Sequence, residues 1–111
     1  MTDTFYLKQN DLLPALQVQL LDNATPVDLT NATSVYLRMS NRRIGLKVDA
    51  PMTIANQTTS LGVVSYHWAT GDTDTVGEFN AEFRVNWPSS KPQTFPASNY
   101  VTVIIQKGLA A

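Results

Sequence analysis

Apolar and polar side chains alternate along most of this chain, and that period admits few folds. The clearest run is Glu78 to Trp87. Phe79, Ala81, Phe83, Val85 and Trp87 share one face; Glu78, Asn80, Glu82, Arg84 and Asn86 share the other. The same period recurs in Leu16-Val18-Leu20, Val35-Leu37-Met39, Val64-Tyr66-Trp68 and Val101-Val103-Ile105. Successive side chains of a strand point to opposite faces, so these segments read as strands with one buried and one wet face. No segment carries a 3.6-residue pattern. One-sided strands belong to antiparallel sheets rather than to parallel sheets covered by helices.

Weaker segments complete the count. Phe5 to Gln9 reads as an opening strand with Phe5 and Leu7 inward, and it and the last strand, Tyr100 to Gln106, are candidate sheet edges. Lys47 to Ala55 contains Pro51, which cannot donate to a ladder, so it is an edge strand or two pieces. Val27-Asp28-Leu29 reads as a short further strand. Turn residues separate these runs, at Asn10–Pro14, Asp22–Pro26, Thr30–Ala32, Asn41–Gly45, Asn56–Gly62, Gly71–Gly77, Pro88–Pro92 and Pro96–Asn99. Short one-sided strands at this spacing describe a sandwich or a small barrel. Gly77-Glu78-Phe79-Asn80-Ala81 favours the sandwich, because an aromatic two residues before an inward position marks the corner that opens strand F of immunoglobulin-like domains. The expected fold is all-β, an immunoglobulin-like antiparallel β-sandwich of seven or eight strands. It is expected to occupy 1–111 as a single domain, with 1–4 and 108–111 loose.

Composition removes several functions. Eight basic residues against nine acidic ones, scattered apart from Arg42-Arg43, do not make a phosphate-binding surface, so nucleic acid is not expected as a partner. The absence of cysteine excludes disulfides, thiolate zinc sites and cysteine nucleophiles. No apolar run is long enough for a membrane helix, and Met1-Thr2-Asp3-Thr4 does not open a signal peptide. Charged residues are 15% of the chain, below the usual ~25%, so neutral polar side chains must cover the surface.

Residues with chemical potential are few. His67 is the only histidine, and its parity puts it on the solvent face with no motif supplying a nucleophile. No enzymatic activity and no cofactor are expected. Asp72 and Asp74 are weak candidates for calcium, since oxygen ligands alternate there, but the loop lacks the remaining ligands and turn capping explains it better. Three Asn-x-Thr sequons, at Asn23, Asn31 and Asn56, follow from the Asn- and Thr-rich composition. Trp68 and Trp87 have core parity. Tyr36 and Arg38 point away from the apolar face of their strand, and an exposed aromatic beside arginine is interface composition. Leu21, Val63 and Ile104 fall on nominal outer faces and are expected to form an apolar patch for self-association.

Several stretches resemble a known family. They are Phe5–Asp11, Leu16–Asp22, the run Pro26-Val27-Asp28-Leu29-Thr30-Asn31-Ala32-Thr33-Ser34-Val35, Trp68–Asp74 with Gly77-Glu78-Phe79, and Thr94-Phe95-Pro96 before Tyr100. Together they make the chain similar to the amino-terminal immunoglobulin-like domain of tailed-phage baseplate upper proteins and related small phage structural proteins. The resemblance implies a virion structural role, with other virion proteins as partners and synthesis in the cytoplasm of a host bacterium. It carries over no ligand or catalytic residue. A baseplate upper protein continues into a helix and a further domain, so a free-standing copy is expected to decorate the capsid, coat the tail or join neighbouring subunits. A carbohydrate-binding module used in host adsorption is the alternative.

Overall fold

The structure is a computed structural model, and it describes residues 3–95 and 100–108. All regular structure in them is β. The strands are β1 (Asp3–Lys8), β2 (Leu16–Gln19), β3 (Leu21–Asp22), β4 (Thr25–Pro26), β5 (Ser34–Asn41), β6 (Gly45–Pro51), β7 (Thr53–Ile54), β8 (Val63–Tyr66), β9 (Gly77–Trp87), β10 (Lys91–Phe95) and β11 (Tyr100–Gln106). Among the described residues, eleven pieces replace the expected seven or eight: one run is divided, three short strands are added and the expected strand at 27–29 is absent. Pro51 ends β6 and the chain then changes sheets into β7. A β3–β4 hairpin adds two short strands. β10 and β11 lie along the same flank of β9, split by the segment between them.

The larger sheet has the order β1-β11-β9-β5-β6, with β10 also on β9; the smaller is β2-β8-β7. The pairing is mixed, not wholly antiparallel: β1 runs parallel to β11, with Phe5 opposite Val103 and Leu7 opposite Ile105. β1 and β11 come from opposite ends of the sequence, so no tight turn imposes an antiparallel hairpin. Two further expectations need correction. Asp3 and Thr4 belong to β1 and are not a loose terminus; Met1, Thr2 and 109–111 lie outside the described residues. β1 is an edge, as expected, but the final strand lies between β1 and β9.

The two sheets enclose one core, giving a sandwich-like arrangement. The inward residues of β5 (Val35, Leu37, Met39) and β9 (Phe79, Ala81, Phe83, Val85) meet Leu16, Val18, Val64 and Tyr66 of the smaller sheet. Trp68 closes one end, edge-on to Tyr66 at 5.2 Å and tilted against Phe5 at 6.1 Å between ring centroids. Its indole N–H donates to the Pro14 carbonyl at 3.1 Å, which pins the link between β1 and β2. Val27 and Leu29 are buried but form no strand. Val27 N donates to the Leu20 carbonyl, and Leu29 N donates to the Gln57 side chain, so this segment is a packed loop.

Candidate functional site

The outer face of the larger sheet carries an open groove of about 570 Å³. Period two dictates most of its lining. With Val35, Leu37, Phe83 and Val85 inward, Ser34, Tyr36 and Arg38 of β5 and Arg84 and Asn86 of β9 must face outward. Register then brings them together: Tyr36 opposes Arg84 and Ser34 opposes Asn86. Asp49 of β6 stands opposite Arg38, and Pro92 of β10 stands opposite Asn86. Trp87 and the turn Pro88-Ser89-Ser90 form the end wall. Ser89 and Ser90 both have positive φ, at 67° and 57°, a conformation that disfavours a Cβ.

The charges of the groove are unevenly matched. Arg38 Nε lies 3.5 Å from Asp49 Oδ1, and Nε is shielded from solvent without a hydrogen-bond acceptor. Arg84 makes no ion pair among the described residues. Tyr36 is half-buried. Trp87 packs against the core and its indole N–H donates to Gln93 Oε1 at 3.0 Å.

Tyr36 and Arg38, singled out from sequence, thus lie in one groove. Leu21, Val63 and Ile104 lie on different elements: Ile104 in β11 of the larger sheet, Val63 in β8 of the smaller, and Leu21 in the β3–β4 hairpin. All three are half-buried. His67 is exposed just beyond β8, in the other sheet from the groove. Arg84 and the groove-lining side of Trp87 escaped the sequence reading. Arg84 has the same outward parity as Tyr36, but only the β5–β9 register sets the two side by side.

Asp72 and Asp74 are occupied within the chain. Asp72 Oδ2 accepts from the Tyr66 hydroxyl and from Ala69 N at 2.8 Å, closing the turn after β8. Burial is the main reason the Tyr66 hydroxyl is pushed to a higher pKa, with the hydrogen bond to Asp72 and the charge of that carboxylate adding to it. Asp74 pairs with the Lys47 ammonium and accepts from the Thr75 hydroxyl, and these bonds hold its carboxyl below the usual range. Among the described residues no three His, Cys, Asp or Glu side chains gather as a metal site would need.

No protein-family model matches the chain, and none of the curated proteins matches it.

Proposed function

We propose that this chain is a non-enzymatic structural module of a phage particle, acting in the tail or baseplate through protein–protein contacts. In this reading its partners are other virion proteins, its place is the virion, and its fold is an immunoglobulin-like sandwich. The strand orders β1-β11-β9-β5-β6 and β2-β8-β7 support that fold. In this reading they stand for A′-G-F-C-C′ facing B-E-D, with β10 as the upper part of a split G strand. A capsid decoration protein is the same proposal transferred to the head.

The observation that carries the contact reading is the outer-face groove, which half-buried Tyr36 and two half-buried arginines line. Aromatic and arginine side chains dominate the energetics of protein interfaces. The sole histidine lies just past the end of β8 and does not line the groove, which supports the non-enzymatic reading. Mass spectrometry of purified particles tests the virion role. The chain is expected there at a fixed copy number, and its absence would end the proposal. Electron microscopy would then assign head or tail.

The groove also favours one second reading. Tyr36 and Trp87 beside Asn86 and Asp49 combine aromatic rings with planar polar groups, the composition of a sugar site. A reproducible hit on a glycan array, lost in Tyr36→Ala, would put carbohydrate binding ahead of assembly.

A further inference from the structure

We propose that the groove docks an acidic peptide segment of a protein partner, with the Arg84 guanidinium holding one Asp or Glu carboxylate. This rests on the protein-contact reading and names the chemistry of the partner. Two guanidinium groups line the groove with one carboxylate, Asp49, which is already beside Arg38; Glu82, opposite Arg38 on β9, pairs with neither arginine. Arg84 is left without an ion pair among the described residues. The unpaired Arg84 guanidinium matches a carboxylate, which it can bind through two parallel hydrogen bonds. Tyr36, directly opposite Arg84, offers apolar surface for the residue next to that carboxylate. A sugar is the poorer occupant. Trp87 leans on the core with its indole N–H committed to Gln93, so Tyr36 is the more available ring for stacking.

The test is a random peptide display library panned on the folded protein and on Arg84→Gln. Enriched peptides are expected to share an Asp or Glu beside an apolar or aromatic residue. Titrating the leading peptide into isotope-labelled protein should shift the Trp87 indole resonance and the amides of Tyr36 and Arg84. Arg84→Gln should weaken this peptide roughly tenfold or more, given the strength of a bidentate charged pair. Arg42→Gln, in the turn between β5 and β6, should leave binding unchanged, and both variants should melt with the parent protein. Several results overturn the proposal: no enriched peptide, enriched peptides without an acidic residue, or equal affinity for Arg84→Gln. Two others reassign the occupant. A dimer in sedimentation that Arg84→Gln dissolves would make it a second copy, whose Glu82 could supply the carboxylate. Binding of oligogalacturonate at Trp87 without peptide binding would make it an acidic sugar. Presence of the chain in particles despite any of these results would leave the virion reading standing.

Discussion

Gly62 sits where the main chain at Leu20 and Val27 crosses it closely, and replacing it with alanine isolates what that crossing is worth. Its φ is +77°, where an L-residue is disfavoured by ~1–2 kcal/mol. A Cβ there would stand 2.9 Å from the Leu20 carbonyl oxygen and 3.1 Å from both N and O of Val27. All three are main-chain atoms and cannot swing aside. They are also tied to one another: Leu20 N donates to the Gly62 carbonyl at 2.8 Å, and Val27 N donates to the Leu20 carbonyl at 3.0 Å. Relieving the clash must strain at least one of these bonds, each worth ~1 kcal/mol. Reduced freedom of the unfolded chain returns ~0.4–1 kcal/mol. Crowding against immobile main chain adds a further ~1 kcal/mol, so the terms combine to roughly 3 kcal/mol, a fall of ~12 °C in Tm for a domain of this size. Gly45→Ala is the matched control, because its φ is +76° and nothing lies within 4 Å of the added Cβ. It should lose only ~1 kcal/mol. Urea unfolding followed by the fluorescence of buried Trp68 measures both, with m expected to stay constant. If the two variants fall within ~0.5 kcal/mol of each other, the crowding argument is wrong.

The hairpin between β3 and β4 turns on Asn23 and Ala24, both at positive φ (51° and 66°), so Ala24→Gly should stabilise by ~0.5–1 kcal/mol in the same unfolding assay. Gln57 Oε1 accepts from Leu29 N and Gly62 N at 3.1 and 2.8 Å, and its Nε2 donates to the Ala55 carbonyl at 2.7 Å. Gln57→Met keeps the bulk and orphans these groups, for an expected loss of ~2–4 kcal/mol by urea unfolding and faster amide exchange at Leu29 and Gly62. Tyr66 is held protonated above its ordinary pKa of 10.0, so the folded state keeps a proton that the unfolded state releases. Its contribution is complete below pH ~10 and fades above that, by up to ~1.4 kcal/mol per pH unit, and Tyr66→Phe should flatten the alkaline limb of a stability–pH curve. Asp28 and Asp74 titrate below their usual range, through bonds from Thr30 and from Lys47 and Thr75 respectively. Their contributions are present above the unfolded-state pKa and vanish as pH falls through the folded-state values. The Asp28→Asn, Asp74→Asn double variant should show a shallower loss of stability below pH ~4.

Where sequence reading succeeded and failed follows from what a two-residue period encodes. It reports which side of a strand is dry. That is why the inward residues of β5, β8 and β9 were legible, and why Pro51 marked both an edge and a break. It is silent on neighbours and direction, so the parallel β1–β11 pairing and the interior place of β11 were not legible. It is silent, too, on where cover ends. Trp87 has inward parity, but β9 runs eleven residues while β8, in the opposing sheet, has only four. The far end of β9 outruns that cover, and Trp87 is left half-buried at the groove. Loops defeat the method differently. Val27 and Leu29 alternate like a strand, yet their amides bond to Leu20 and to Gln57, and no local pattern marks Gln57 as the side chain that turns inward.

The groove and the core are two consequences of one register. Val35 opposite Val85 and Leu37 opposite Phe83 are buried pairs; Ser34 opposite Asn86 and Tyr36 opposite Arg84 are the rows between them. Slipping β5 by one residue against β9 with its facing preserved would set inward residues opposite outward ones. Rolling the strand over instead would drive Arg38 into the core and Leu37 into water. Neither is tolerable, because burial of these side chains is worth ~1.5–3 kcal/mol each. The pairing of Tyr36 with Arg84 is therefore enforced by the buried pairs that flank it. That gives the groove a rigid floor, and a rigid floor lowers the ordering cost of docking a segment there. Changes at Tyr36 or Arg84 should alter what binds while leaving the fold intact. Changes at Val85 or Leu37 should weaken binding only by loosening the sheet that aligns them.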